Sequence, residues 1–527
     1  MAKNPMTRRN FIRLTGLGLA GATLAACTPA ATPTPAEAPV EPSATAVKAA
    51  QAEATATSAP AAPTATAAPQ PLEMVKMKYS IVGGEQPDLP KVNAAINEYL
   101  KKTGLNIDLE IQLIDWGAYN DQMGLAHSAG EEGGLEFTAP WTNNYPSNVA
   151  GGVYLPLDDL LKEYAPKTFA SLTPEMWNAA RIDGKIYGVI NQQMFPKVWG
   201  IQVRKDLAEK YGLDIEKLTG YDDPALDEFM KKVKEGGDVK YVSDGAYFLL
   251  EMQGYDPVVS SYGGLNVNDP NAKIVNYFAT EDARKAFERA KRWMDAGFVP
   301  VEPIQDVDAS IKAGEVAMRL TQNVGIGDTT GLKDKYGYEF VAKGMITPIL
   351  NTDSMVATLT AIPATCKHPE RAMMLIEAIN TDPELFNLLC YGIEGTHWNW
   401  EDKEKKLIKK VENSAYNPNT NWQFGNVFNA YYTNATQIGS YEKMMEVNKT
   451  SAPSPALGFN FNRKPVETEL AQIGPVMDPI NAELFNGSAS DIDAKVAEAL
   501  DALKAGGFDK VLEEANAQFE AFKKTVG

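Results

Sequence analysis

Histidine and cysteine are scarce in this 527-residue chain, with three of each. His127, His368 and His397 are too scattered to form a metal-binding pair, and Cys366 and Cys390 lie 24 residues apart without a CxxC partner, so zinc and dithiol-redox motifs are excluded. That spacing still leaves a disulfide between Cys366 and Cys390 open in an exported chain. Basic residues are also short: 50 Lys plus Arg stand against 68 Asp plus Glu, a formal charge of -18. With no local basic patch, such a surface repels polyphosphate, and nucleic acid is excluded as a partner. No apolar run is long enough to stay across a bilayer. Catalytic signatures are missing too. GxSxG does not occur, and the one GxGxxG, Gly16 to Gly21, has no preceding strand. Asp306, Asp308 and Glu315 lack the glycine and ligand spacing of an EF-hand. No cofactor, metal or catalytic residue is therefore expected.

What is present begins with an address. Residues 1–26 carry Lys3, Arg8, Arg9 and Arg13 but no acid, and the stretch from Leu14 to Ala26 is apolar and rich in small residues. This is the layout of an export signal. Thr7 to Arg13 resembles a twin-arginine signal. Leu24-Ala25-Ala26-Cys27 resembles a bacterial lipobox, which implies signal removal, lipidation of Cys27 and anchoring on the outer face of the cell membrane. From Thr28 to Pro71, Ala, Pro, Thr and Ser supply 36 of 44 residues. Such a segment buries too little apolar area to offset its ordering entropy, so 27–71 is expected to be a lipidated cysteine followed by a disordered tether.

From Met74 onward the periodicity changes. A strand is expected from Met77 to Val82, a helix from Leu89 to Lys102 with Val92, Ile96 and Leu100 on one face, and a second strand from Asn106 to Ile114. Strand, helix and strand within that length make a parallel α/β unit. Helices are expected again at Asp282 to Ala296, Pro369 to Asn380 and Lys510 to Lys524. The length calls for two lobes.

Several ordered segments then point to one family. Tyr154 to Leu161, Asp183 to Val189 (Asp-Gly-Lys-Ile-Tyr-Gly-Val), Val203 to Leu207, Gly314 to Met318, Lys367 to Ala372 and Tyr391 to Trp398, which opens Tyr-Gly-Ile-Glu-Gly, resemble carbohydrate-type family 1 extracellular solute-binding proteins of ABC importers. The last resembles a lipoprotein subfamily. The resemblance runs from about Lys78 to the end. It implies an α/β, type II periplasmic-binding-protein-like fold whose two lobes are joined by hinge segments around a ligand cleft. Lobe 1 is placed at 72–190 plus 357–458 and lobe 2 at 191–356 plus 459–527. A monomer is expected, with a carbohydrate and the membrane subunits of an ABC transporter as partners.

Sugars present flat C–H faces and rings of hydroxyls, so their complement is an aromatic face beside short amides. Trp141, Asn143, Asn144 and Tyr145 have that composition and follow the strand-like Leu135-Glu136-Phe137. Asn191, Gln192 and Gln193 stand at the expected first crossing between lobes. The resemblance adds Trp199, Tyr247, Tyr262 and Asn323 from lobe 2 and Trp398 near the Tyr-Gly-Ile-Glu-Gly element. Asn421-Trp422-Gln423-Phe424 shares the composition without a placement. Asn near aromatics, with no cluster of Arg, favours a neutral hydroxylated ligand over an anion. Two other classes stay open: a surface glycan-acting enzyme using a carboxylate pair among the 68 acids, and a ligand-sensing binding protein.

Overall fold

The computed structural model describes residues 72–526, apart from 247, 323, 325–328, 330 and 331. The expected signal peptide, Cys27 and tether, and the candidates Tyr247 and Asn323, lie outside the described residues.

Strand β1 (Val75–Val82) buries Val75, Met77, Tyr79 and Ile81 on alternate positions, and β2 (Ile107–Ile114) does the same with Ile107, Leu109 and Ile111. They pair in parallel from Val75 opposite Ile107 to Val82 opposite Ile114. Between them, α1 (Leu89–Lys102) takes Pro90 in its first turn and covers the sheet with Val92, Ile96 and Leu100. Helix α2 (Tyr119–Ala129) leads to β3 (Leu135–Thr138), which joins the other side of β1 but pairs only at Tyr79–Leu135 and Ser80–Glu136. After the short helix α3 (Tyr145–Ala150), β4 (Gly188–Ile190) forms the far edge. It follows the hairpin of Arg181–Ile182 with Lys185–Ile186, whose turn residues Asp183 and Gly184 both have positive φ, at 49° and 79°.

The chain then leaves this sheet to build a second one. Strands β5 (Gly200–Arg204), β6 (Tyr241–Ser243), β7 (Val316–Thr321) and β8 (Phe340–Gly344) form a four-stranded sheet in the order β8-β5-β7-β6. It returns at β9 (Leu359–Ala361), which inserts antiparallel between β3 and β4 and completes the five-stranded order β2-β1-β3-β9-β4.

The cores follow this division. One gathers Tyr79, Phe137, Tyr145, Leu359 and Phe424 around the five-stranded sheet. A second gathers Ile201, Phe229, Trp293 and Leu320 around the four-stranded sheet. The third is mostly helical and includes Phe278, Met477, Leu484, Phe508 and Phe519. Helix α4 (Glu281–Asp295), capped by the Thr280 side chain on the Ala283 amide, puts Ala286, Ala290 and Trp293 into the second core and Ala283 and Phe287 into the third. The fold is α/β and two-lobed, with the second and third cores fused in one lobe.

Helix α5 (Pro369–Thr381) and α6 (Pro383–Tyr391) pack on the first lobe, followed by α7 (Ser440–Thr450). The chain ends in α8 (Glu467–Asn486), α9 (Ile492–Ala505) and α10 (Phe508–Val526). Cys366 and Cys390 are both free, so the disulfide left open by their spacing is not formed. Among the described residues no helix is long and apolar enough to cross a membrane, and no group of three or more metal-ligating side chains occurs.

Candidate ligand-binding site

Ligands of open α/β sheets lie beyond the carboxyl ends of the parallel strands, where loops and helix starts gather. Here β1, β2 and β3 end at Val82, Ile114 and Thr138, and each end is furnished differently. Beyond β2, the Asp115 carboxylate accepts from the Gly117 amide at 2.9 Å, a tight turn that leaves Trp116 51% exposed. Beyond β3 the chain doubles back, with the Ala139 amide on the Thr142 carbonyl at 3.0 Å and Asn143 at φ 41°. Trp141 stands at the tip of that loop. It is 52% exposed, with its indole N–H tied to the Ala357 carbonyl at 2.8 Å, so the ring is held by one edge while much of its surface meets solvent.

A third tryptophan comes from far along the chain. Trp422 sits in the single turn Asn421–Gln423, and that turn is fixed by the buried Gln423 side chain. Gln423 accepts from the Val82 amide at 3.0 Å and donates to the Val82 carbonyl at 2.8 Å, satisfying the last residue of β1. Phe424 points inward against Tyr79 and Phe386.

The three rings form one surface. Their centroids are separated by 5.9 Å (Trp116 to Trp141), 6.0 Å (Trp116 to Trp422) and 6.2 Å (Trp141 to Trp422), at interplanar angles of 23°, 13° and 33°. A column of stacked rings would put its outer centroids at twice the inner spacing. Three nearly equal separations exclude a column, so the rings form a triangular cluster of offset indoles, the floor of the candidate site. Phe137, fully buried, supports Trp141 and Trp422 at 5.8 and 5.7 Å in edge-on contact. Trp116 and Trp141, each about half exposed, offer apolar ring surface, the chemistry that matches the C–H face of a sugar ring.

Other candidates serve different places. Asn143 is buried and donates to the Phe137 carbonyl at 3.1 Å and the Tyr154 hydroxyl at 3.0 Å. Asn144, exposed, caps α3 by accepting from the Ser147 amide at 2.9 Å and donates to the Pro140 carbonyl at 2.6 Å. Tyr145 is buried, with its hydroxyl on the Ala180 carbonyl at 2.5 Å. These three shape the loop that presents Trp141. Asn191 is buried and faces the Trp422 loop, while Gln192 reaches Ser171 at 2.8 Å and Gln193 reaches Thr358 at 2.9 Å. Trp199 belongs to the core of the four-stranded sheet. Tyr262 lies in the helical core beside Phe278 and Phe508. Trp398 is buried against Trp400 and Tyr431, its indole N–H on the Gly392 carbonyl at 2.9 Å. Of the residues singled out from sequence and described, Trp141 alone lies in the floor; Trp116 was missed, and Trp422 was noticed without a place. A lone Trp directly after an alternating strand, as in Ile114-Asp115-Trp116-Gly117, is the local signal for the first. Nothing local marks the second, which depends on pairing across 341 residues.

Near the chain crossings the charge pattern changes. The Asp256 carboxylate is buried between two of them, accepting from the Ser454 hydroxyl at 2.5 Å and the Asn351 side chain at 3.3 Å. Loss of water pushes its pKa up to about 7. Partial burial also raises Glu251, opposed by Lys197, and the crowding of neighbouring groups raises Asp353 although much of its surface meets solvent. A separate groove of about 510 Å³ lies on the first lobe between α2 and the sheet, lined by Lys78, Gln112, His127 and Glu136.

Residues 83–384 match the family described as bacterial extracellular solute-binding protein, and residues 455–524 match a domain of unknown function, DUF3502. A carbohydrate ABC transporter substrate-binding protein of Streptococcus pneumoniae serotype 4 is 27% identical over 461 residues, 84% of this chain and 90% of that protein. The crystal structure of an N-glycan transport solute binding protein from Streptococcus pneumoniae aligns with TM-score 0.77 and 24% identity, covering 86% of this chain and all of the other. The same protein in complex with Man1GlcNAc aligns with TM-score 0.67 and 24% identity, over 85% of this chain and 99% of that one.

Proposed function

Since the chain belongs to the bacterial extracellular solute-binding proteins, we propose that it captures a carbohydrate, in particular an oligosaccharide, outside the cytoplasm and hands it unaltered to the membrane subunits of an ABC transporter. The observation that carries this reading is the tryptophan floor at the carboxyl edge of the parallel strands. Its three rings span more than one pyranose, and each stacked ring contributes about 1 kcal/mol beyond its buried area. Relatives named for carbohydrate and N-glycan transport support the same ligand class. Trp116, Trp141 and Trp422 are the contacts; Asn143, Asn144 and Tyr145 act behind them. Tyr247 and Asn323 remain assigned to the opposing lobe through the resemblance alone.

Lobe 1 comprises 72–190 with 357–458, and lobe 2 comprises 191–356 with 459–527. Closure of the two about the crossings traps the ligand, because contacts made by both lobes exist only in the closed form. The protein works as a monomer tethered by a lipid on Cys27 after twin-arginine export, so that captured sugar stays near its permease. In this reading it has no catalytic role, and the buried Asp256 carboxylate is occupied by hydrogen bonds from Ser454 and Asn351.

Calorimetric titration with neutral oligosaccharides, paired with chromatography of the ligand after prolonged incubation, tests this. Saturable binding with the glycan recovered intact supports transport; cleavage supports the enzyme reading instead.

A further inference from the structure

The side chains of Asn191 and Gln423 are among the most buried polar groups beside the five-stranded sheet, at 2% and 1% exposure; Asn191 is directed at the segment that carries Trp422, and Gln423 lies within it. Asn191 donates to the Gln423 carbonyl at 2.7 Å, while its oxygen accepts from the Gly425 amide at 3.1 Å and the Thr360 hydroxyl at 2.9 Å. Gln423 spends both ends of its amide on Val82. The backbone adds two more links, from the Gln192 amide to the Gly425 carbonyl at 2.8 Å and from the Val427 amide to the Gln192 carbonyl at 2.9 Å.

The need for an amide at position 423 follows from the sheet. Val82 is paired with β2 on one side, but β3 departs from β1 after Ser80, leaving the Val82 N–H and C=O on the other side without a strand. A carboxamide presents one acceptor and one donor at backbone spacing and substitutes for the missing strand residue. An apolar side chain of the same size would leave two buried backbone groups unpaired.

We propose that Gln423 and Asn191 are positioning residues for the binding floor: Gln423 sets Trp422 against Phe137, and Asn191 fastens the same loop to the first residues of the crossing between the lobes. The two act through Trp422 and touch no ligand. Because Asn191 stands at the expected first crossing between the lobes, the floor and the root of that crossing move as one body. This rests on the carbohydrate-binding reading for its purpose but not for its geometry.

The test begins without sugar, on the full folded chain. Close indoles whose transition moments are skewed, as interplanar angles of 13° to 33° allow, give an exciton couplet in circular dichroism, and Trp422→Leu defines the share that belongs to this cluster. Gln423→Leu, measured well below its melting transition, is expected to lose most of that share; a cooperatively folded Gln423→Leu with the wild-type couplet overturns the proposal. Should Gln423→Leu fail to fold, hydrogen exchange of the wild type decides: the Val82 and Gly425 amides are expected to exchange at least tenfold slower than the exposed Gly84 and Glu85 amides, and equal rates overturn it. Titration with a mannose-containing oligosaccharide then separates the two claims. Gln423→Leu should weaken affinity at least threefold, in the direction of Trp422→Leu. Wild type that binds no glycan removes the carbohydrate reading while leaving the couplet result standing.

Discussion

At the scale of single residues, exposure and hydrogen bonding separate contacts from supports among side chains of similar type. Trp141 leaves half of its surface to solvent, so Trp141→Ala should weaken oligosaccharide affinity by at least ~1 kcal/mol, about fivefold, with little change in melting temperature. Tyr145 is the opposite case. Removing its hydroxyl in Tyr145→Phe leaves the buried Ala180 carbonyl unpaired and should cost roughly 1–3 kcal/mol of stability while leaving affinity unchanged, as thermal melts and calorimetry on one preparation would show. Composition alone made both look alike. Aromatic and amide residues clustered at 141–145 were legible as a candidate site, but which of them faces outward depends on the reversal at Thr142 and the positive φ of Asn143, which no local pattern announces. The same holds for Asn191, Gln192 and Gln193: consecutive amides at a lobe crossing read as sugar contacts, whereas their side chains meet protein partners.

At the scale of elements, the local rules worked where a cap or an alternation exists. The expected helix from Leu89 to Lys102 is found over those residues, because Pro90 and the Val92, Ile96 and Leu100 stripe define its ends and face. The helix expected from Asp282 lies at Glu281–Asp295, its start set by the Thr280 cap. The four-stranded sheet was mostly illegible: β5 and β7 are short and largely buried on both faces, so no alternation survives. Helix packing in the second lobe brings one severe steric constraint. Gly487 ends α8 at φ 77°, and a Cβ there would lie 2.2 Å from the Ala290 carbonyl of α4. Gly487→Ala is thus strained in backbone and in packing, and should lower stability by about 2 kcal/mol or more in denaturant titration, without altering the first lobe's tryptophan signal.

At the scale of the whole molecule, the region proposed as the joint between the lobes contains a titratable group. Asp256, in the strand Tyr255–Val259, holds Asn351 and Ser454, whose segments run side by side with Ile349 opposite Ala452 close to the proposed lobe boundaries. Burial keeps its proton bound up to about pH 7 in the fold, whereas the unfolded chain releases it near 3.8. The native state therefore binds the extra proton between these values. Its contribution to stability is complete below the unfolded pKa and is lost as pH rises through about 7, at a limiting slope of about 1.4 kcal/mol per pH unit. Glu251 and Asp353 shift in the same direction, so the test is a difference: Asp256→Asn should flatten the fall in stability of the wild type between about pH 4 and 7. Unchanged pH dependence would show that Asp256 does not titrate in this range. The two-lobed architecture was legible from the ordered motifs, while the joint was not, since its partners lie 95 and 198 residues apart.

The central claim is that the indole floor formed by Trp116, Trp141 and Trp422 holds a neutral glycan. Isothermal titration of the wild type and of Trp116→Ala, Trp141→Ala and Trp422→Ala with a panel of neutral oligosaccharides tests it most directly. Saturable wild-type binding weakened at least fivefold by each substitution is the predicted result. Equal affinity in all four folded proteins would contradict it, as would a wild type that binds no glycan.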